Sequence, residues 1–446
     1  MSTSLKKYSS YKDSGIEWLG EIPEHWDLTR SDSFLKTERT TLDVHQFSDQ
    51  YVCHYSIPSV QETGGFIEEF GSEILSSKQL IKDECVLVSK LNPRKSTICI
   101  ANNQDRTTIC STEFVILYAV NCTTKFIYYL ILNEYFRQRL DSMVESVTNS
   151  HKRVKPECIY KFWTLLPPLI EQLQISKFLD QKTQQIDTLV EKKQKQIELL
   201  KEYRMGVIND AVTKGLNPDV KMKDSGIEWL GEIPEHWEVK KIKYLLMEGK
   251  EGIKIGPFGS SLKLEMMVSE GYKVYGQENV IKDDFKVGSR FITSEKYKEM
   301  DVYKLLEGDI LVTMMGTTGK CKMFPKDVQN GIIDSHLIKM RTNNTILTQY
   351  LVLSINDSDY IKTQIKLVSK GSIMEGLNSS IIKELCVFLP SINEQQQISQ
   401  YLDQKTQQID NLIQITEKQI EQLKEYRTSL ISEVVTGKVD VREEVV

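Results

Sequence analysis

With 446 residues, 40% of them hydrophobic and 27% charged, the chain can build two to four packed domains and is not a disordered polymer. Its formal net charge of −5 argues against a general polyanion binder and leaves only local basic surfaces for such a role. Apolar runs such as 159–170, which holds Lys161 and two prolines, are too short for a membrane span, and the first ten residues lack a secretory pattern. We therefore expect a soluble cytoplasmic protein without disulfides. The eight cysteines stand singly, with no C-x-x-C pair to suggest zinc or redox chemistry.

In chain order the first element is KDSGIEWLGEIPEHW at 12–26, which recurs letter for letter at 223–237. Trp18, Trp26, Trp229 and Trp237 in these two straps are expected as buried anchors. His25 and His236 share the repeat, but no acidic or nucleophilic companion repeats with them in a suggestive context, so packing or capping is expected. The first interior, 27–164, shows strand patterns at 85–89, 96–101 and 114–120 and a helical pattern at 126–147. Residues 171–204 follow, rich in Gln, Lys, Glu, Leu and Ile and free of Gly and Pro, and they match 394–427. The second interior, 238–388, has strand patterns at 273–275, 309–314 and 337–341 and a helical pattern at 346–366.

Each long repeat reads as a helix of about 38 residues, roughly 57 Å long. It is entered after Pro167-Pro168 or Pro390 and left near Gly215 or Gly437. Its seam is expected at Ile398, Leu402, Ile409, Leu412, Ile420, Leu423 and Leu430, and at Ile175, Leu179, Ile186, Leu189, Leu200 and Val207, with Lys182 and Lys405 inside it. A seam this polar needs a partner face. The tethered second copy is favoured as that partner, and pairing between chains is the alternative.

The expected fold class is α+β: two globular domains joined by two long antiparallel coiled-coil helices with intramolecular pseudo-twofold symmetry. The expected boundaries are a strap at 1–26, a domain at 27–164, a helix at 165–215, a second strap at 216–237, a domain at 238–388, and a helix with tail at 389–446.

Charge is balanced within each interior: 16 Lys and Arg against 17 Asp and Glu in the first, 22 against 19 in the second. Nucleic-acid contact must then come from clusters of cations with Gly, Asn, Ser or Thr in loops, which suit phosphate and base-edge contacts. The candidates are Lys90, Asn92, Arg94 and Lys95; His151, Lys152 and Arg153; Lys254 and Lys263; Thr317 and Lys320; with Gln277 and Lys370 from the second interior. For any one cluster, a solvated surface turn is the plainer reading.

Catalytic motifs are missing. GTTGK at 316–320 lacks the first Gly of a phosphate loop, since Met314 stands there, and Cys321 follows the Lys. Neither an Asn/Asp-Pro-Pro-aromatic loop nor a Gly-rich cofactor turn occurs. Asp219 with Glu248 and Lys250 only loosely echoes a nuclease site.

The repeated DSGIEWLGEIPEHW, with LPPLIEQLQIS and FLDQKTQQID after the first interior and LPSINEQQQIS and YLDQKTQQID after the second, resembles the specificity subunit of type I restriction-modification systems. IGPFGSSLK at 255–263 and GSIMEGLNSSIIKELCVFLP at 371–390 are similar to segments of that family, as are SKLNPRKSTICIA and CSTEF in the first interior. The first interior has no GPFG-type loop.

The resemblance implies that each interior is a target recognition domain reading one half of a bipartite, asymmetric double-stranded DNA site. The helices would set the spacer and dock two adenine-methyltransferase (modification) subunits, which restriction subunits with translocase and nuclease activity would join. The chain itself would be non-catalytic and without cofactor, leaving S-adenosylmethionine, ATP and magnesium to its partners. The competing readings are a coiled-coil protein scaffold without DNA specificity and a stand-alone nuclease.

Overall fold

The computed structural model describes residues 6–17, 19–146, 152–227, 231–315, 319–369 and 377–444. The chain divides into two compact units, Met1–Gln194 with Glu417–Val446, and Lys195–Thr416.

The first unit begins with a hairpin of β1 (Tyr11–Asp13) and β2 (Glu21–Pro23). Its interior opens on β3 (Asp27–Arg30) and closes on β15 (Trp163–Leu166), which pair antiparallel, so the chain enters and leaves the interior side by side. Between them, β4 (Leu35–Lys36), β9 (Cys85–Ser89), β10 (Ile98–Ala101) and β12 (Phe114–Ala119) form a sheet in the order β10-β9-β12-β4. A second sheet, β5-β8-β11-β6-β7, combines β5 (Thr41–Leu42), β6 (Tyr51–Tyr55), β7 (Ile67–Phe70), β8 (Lys78–Leu80) and β11 (Thr108–Ser111), with β6 and β11 parallel. A short ribbon pairs β13 (Glu145–Ser146) with β14 (Lys152–Arg153).

β9 is buried along its whole length because both of its faces are covered. Val86 and Val88 join Phe126 and Leu130 of the helix Thr124–Leu132, while Cys85 and Leu87 pack with Tyr55, Cys99 and Cys110 on the opposite face. A run without polar alternation is what such a strand requires.

The second unit has the corresponding hairpin, β16 (Met222–Asp224) with β17 (Glu232–Pro234), and the corresponding closure, β18 (Glu238–Lys241) with β26 (Cys386–Leu389). Its sheet β19-β25-β22-β23 is built from β19 (Ile253–Ile255), β22 (Ile310–Thr313), β23 (Cys321–Met323) and β25 (Leu337–Met340). The other sheet, β21-β20-β24, is built from β20 (Tyr272–Tyr275), β21 (Phe291–Ile292) and β24 (Gly331–Ile333), with β20 and β24 parallel. The two interiors share no evident sequence, yet β9, β10, β12 and β4 have their counterparts in β22, β23, β25 and β19, joined in the same order.

The long helices run from Leu169 to Lys214 and from Ile392 to Val435, 46 and 44 residues and so longer than the sequence pattern suggests. Gly215 and Gly437 follow them with φ of 79° and 72°, a left-handed conformation that glycine adopts without strain. The helices pair antiparallel within each unit. In the first, Asp187 Oδ1 meets Arg427 Nε at 3.0 Å and Lys193 Nζ donates to Gln419 Oε1 at 2.6 Å. In the second, Arg204 Nε meets Asp410 Oδ1 at 3.1 Å.

The seam departs from expectation at two equivalent positions. Leu189 and Leu412 are 47% and 50% exposed, whereas Ile197 and Ile208 are buried. A helix turns 3.6 residues at a time, so a strict seven-residue spacing drifts off the contact face unless the pair supercoils. Nor do Lys182 and Lys405 occupy the seam. The neighbouring Thr183 and Thr406 are buried there and donate back to the carbonyls of Leu179 and Leu402, at 2.7 and 2.8 Å.

The helical patterns at 126–147 and 346–366 are each two helices. The first breaks at Asn133, whose ψ is 139° and whose Oδ1 accepts from the Tyr135 and Ser432 side of the fold: from Tyr135 N at 2.8 Å and Ser432 Oγ at 3.0 Å. The second breaks at Ser358, after which Asp359 N donates to Asn209 Oδ1 at 2.7 Å. Asn209 and Ser432 are equivalent positions of the long repeat.

The repeated flanks have one task in common, locking an interior to the helix pair. Gln172 is buried, accepts from Thr123 N at the start of the helix Thr124–Leu132, and donates to Pro167 O. Gln395 does the same for Leu347 N, before the helix Thr348–Asp357, and for Pro390 O. The preceding glutamates hold the straps: His25 Nε2 lies 2.8 Å from Glu171 Oε2, and His236 Nε2 lies 2.8 Å from Glu394 Oε1. An acidic companion therefore does repeat with the strap histidines, hidden in the sequence because it lies 146 and 158 residues away. Trp26 and Trp237 are fully buried, and Trp18 and Trp229 lie outside the described residues.

Candidate nucleic-acid interface

In each unit the strand ends of both sheets converge on one edge. In the second unit β19, β20, β22 and β24 end there and β25 begins there. Backbone bonds tie the loops together: Gly256 N donates to Leu337 O at 3.0 Å, Met314 N to His336 O at 3.1 Å, and Asp334 N to Tyr275 O at 2.8 Å. Two glycines make the close packing possible. A Cβ at Gly256 would lie 1.7 Å from Asp334 O, and one at Gly276 would lie 2.2 Å from Arg290 Nη2. Either substitution would push a backbone or a guanidinium out of place.

Arg290 organises this edge. Its Nη2 donates to Glu278 Oε1 at 2.9 Å and to Asp334 Oδ2 at 3.0 Å. Burial works against its charge, but the two carboxylates outweigh it and raise the guanidinium pKa above its usual value. Asp334 is nearly buried and also receives His336 N at 2.9 Å. Replacing Arg290 with Ala leaves that carboxylate short of a donor and should cost about 1–3 kcal/mol. Urea unfolding would measure this, with Arg290→Lys expected to lose less.

Gln277 sits on this edge, its Oε1 accepting from Met315 N at 3.1 Å, which leaves its amide NH2 for a ligand. Lys263 is exposed nearby in sequence to the Gly256 loop. Lys254 places its ammonium 5.4 Å from the Tyr303 ring centre. Lys320 donates to Ile281 O at 2.8 Å, closing the helix Gln277–Lys282, so this ammonium is engaged within the fold. Thr317 and Lys370 lie outside the described residues.

In the first unit the corresponding edge forms a cleft lined by Thr37, Glu38, Arg39, Gln79, Lys90 and Thr112, among others. Two clusters far apart in the sequence meet beside it. Leu91 bridges Arg153, Asn92 N donates to Lys152 O at 2.8 Å, and Val154 N donates to Lys90 O at 3.1 Å. Asn92 adopts φ of 48°, which asparagine tolerates better than most residues, and turns the chain into Pro93–Lys95.

Burial, with Arg153 and Arg39 close by, lowers the Lys90 pKa despite Glu113. Arg153 is paired with Glu113 at 2.8 Å and Arg94 with Asp141 at 2.7 Å. Lys95 is exposed, with no acidic partner among the described residues, and His151 lies outside them. Sequence reasoning missed Arg39, Thr112, Arg290, Ser335 and His336. The only signal for the last three was a pair of glycines placed just after strands.

Residues 234–425 match the family model described as the type I restriction modification DNA specificity domain. The putative type I restriction enzyme MjaX specificity subunit of Methanocaldococcus jannaschii is 23% identical over 442 residues, spanning 95% of this chain and 96% of that protein. The MjaVIII specificity subunit of the same organism is 27% identical over 62% of each chain. The EcoKI specificity subunit of Escherichia coli is 24% identical over 63% of this chain and 58% of its own.

Among solved structures, a chain from work on complex assembly and conformational transition of the type I R-M system aligns with a TM-score of 0.73 at 16% identity, covering 93% of this chain and 98% of that one. The HsdS subunit of Thermoanaerobacter tengcongensis gives 0.55 at 17% identity, covering 94% and 98%. Both share the fold. The end-to-end match, the matched domain and the paired flanks agree, and all three make the chain similar to the specificity subunits of type I restriction-modification systems.

Proposed function

We propose that the chain is the sequence-specific DNA-recognition subunit of a type I restriction-modification complex, each interior reading one half of a bipartite, asymmetric target through its strand-end edge. The observation that carries this is the repetition of one topology, with one polar edge, in two interiors whose sequences differ. Unlike edges on a like frame suit two unlike half-sites.

In this reading the repeated helices set the spacer, and the repeated surfaces dock two modification subunits that methylate adenine. Restriction subunits join that core. The chain works in the cytoplasm, binds no cofactor, and performs no chemistry itself; S-adenosylmethionine, ATP and magnesium belong to its partners. No helix among the described residues is long and apolar enough to cross a membrane.

The test is selection of random duplexes by the full chain together with its modification subunits. Two short defined sequences separated by a fixed number of undefined base pairs are expected. Retention without sequence preference would favour the protein scaffold. Purified chain with magnesium alone should leave DNA intact.

A further inference from the structure

Along the first reading edge several cations are engaged within the fold. Arg153 pairs with Glu113, Arg94 with Asp141, and Lys82 with Glu38 at 3.4 Å. Lys90 and Arg39 differ: they line one cleft of about 150 Å³, and neither side chain has an ion pair or hydrogen bond among the described residues. Arg39 is exposed and Lys90 half-buried. Burial lowers the Lys90 pKa, Glu113 opposes that, and the charges of Arg153 and Arg39 add to the lowering. Like charges gathered at a half-buried site repel each other, so an anion is what completes it.

The rest of the cleft narrows the choice of anion. Thr37 and Thr112 bring hydroxyls to it, and Phe114 and Pro156 supply apolar wall, where charge-assisted hydrogen bonds gain strength. Glu38 lines it too, with its carboxylate drawn toward Lys82. Two cations and two hydroxyls suit the charge and the several acceptor oxygens of a phosphate, the anion that a duplex repeats along its frame. In the second unit the position of Lys90 is taken by Met314: Lys90 N donates to Glu113 O at 2.9 Å, as Met314 N donates to His336 O at 3.1 Å.

We propose that this cleft holds one backbone phosphate of the duplex at the half-site read by the first interior, with Lys90 and Arg39 as its cations and Thr37 and Thr112 as neutral donors. This rests on the DNA-recognition reading above. The contact positions the first reader and carries no base information, so it is no part of the sequence code. It makes the two readers unequal in how they hold the backbone, because the second edge has a methionine where the first has the ammonium.

The experiment uses the full chain with its modification subunits and the selected duplex, in which each phosphate in turn is replaced by a neutral methylphosphonate. One replacement at the first half-site should weaken binding by the parent at least about ten-fold, the scale of a hydrogen bond between charged groups. The double variant Arg39→Gln, Lys90→Gln should bind the unmodified duplex about that weakly and be indifferent to the same replacement. It should also lower the slope of log affinity against log salt by about 1 and select the same base sequence as the parent. Replacements at the second half-site should affect parent and variant alike. Because neither side chain has a partner among the described residues, the double variant should unfold in urea as the parent does.

The proposal is overturned if no replacement loses its effect in the double variant, if the one that does lies in the second half-site, or if the variant selects different bases. It is also overturned if inorganic phosphate protects the parent, and not the variant, from urea while no methylphosphonate matters, since the cleft would then take a free anion. Absence of sequence-selective binding by the parent chain would instead overturn the DNA-recognition reading.

Discussion

Exchanging residues 27–164 for another reader of the same topology should change one half of the target and leave the other half as it was. The structure gives the reason. The first interior enters on β3 and leaves on β15, paired side by side from Asp27 with Leu166 to Arg30 with Trp163, so an exchanged interior starts and ends at one place. Gln172 and Glu171 belong to the retained helix; Gln172 holds the interior through the backbone N–H of Thr123, and Glu171 holds the strap through His25. Backbone amides are the same in any replacement. Mapping methylated adenines in DNA exposed to the assembled complex would report both half-sequences. A new half-sequence on one side should come with a loss of the old one by at least the discrimination of two or three base pairs, each about 1–3 kcal/mol. Changes on both sides would contradict independent readers.

Trp237→Ala should be among the most destabilising single substitutions. The indole is fully buried in the core of the second unit, where Nε1 donates to Glu394 Oε1 at 3.3 Å. Its Cζ2 faces Gly215, where an added Cβ would lie 3.1 Å away. Removing it opens a cavity where the strap, the end of the first long helix and β26 meet, at a cost of about 3–5 kcal/mol. Urea unfolding should show a lower midpoint. Glu394, already held below its usual pKa against burial by His236, Trp237 and Ser391, loses one of those donors as well. Trp237→Phe should retain part of the stability, because a smaller ring fills part of the cavity although the N–H is lost. Wild-type stability in Trp237→Ala would mean that the strap is not an anchor.

The sequence made the repeats, the long helices and the best strands legible, because each is a local pattern. Cys85–Ser89 shows why: five apolar or small residues in a row leave little choice once both faces are covered. Other features depend on partners remote in sequence. The break at Asn133 depends on its own capping and on Ser432, which lies 299 residues further along. Lys90 and Lys152 become neighbours only because Leu91 bridges Arg153. Side-chain commitments were equally hidden. The charges of Arg94 and Arg153 are shared with Asp141 and Glu113, and the Lys320 ammonium caps a carbonyl. Residue type alone marks a cation, while its neutralisation is a property of the fold. Arg290 is the converse case, an arginine in a region without any motif that holds the second reading edge in shape.

The ion pairs along the long helices cross between the copies: Asp187 with Arg427, and Asp410 with Arg204, the same two letters of the repeat with their owners exchanged. Each copy is therefore the mould for the other. A change in one leaves its counterpart facing the wrong charge or shape until a matching change occurs more than two hundred codons away. The two copies are free to drift only in step. The interiors are not repeats of one another in sequence, and each packs on its own stretch of the helix pair. Near-identity in the frame and divergence in the readers are thus two results of a single architecture, in which the frame evolves as a self-complementary pair and each reader evolves alone.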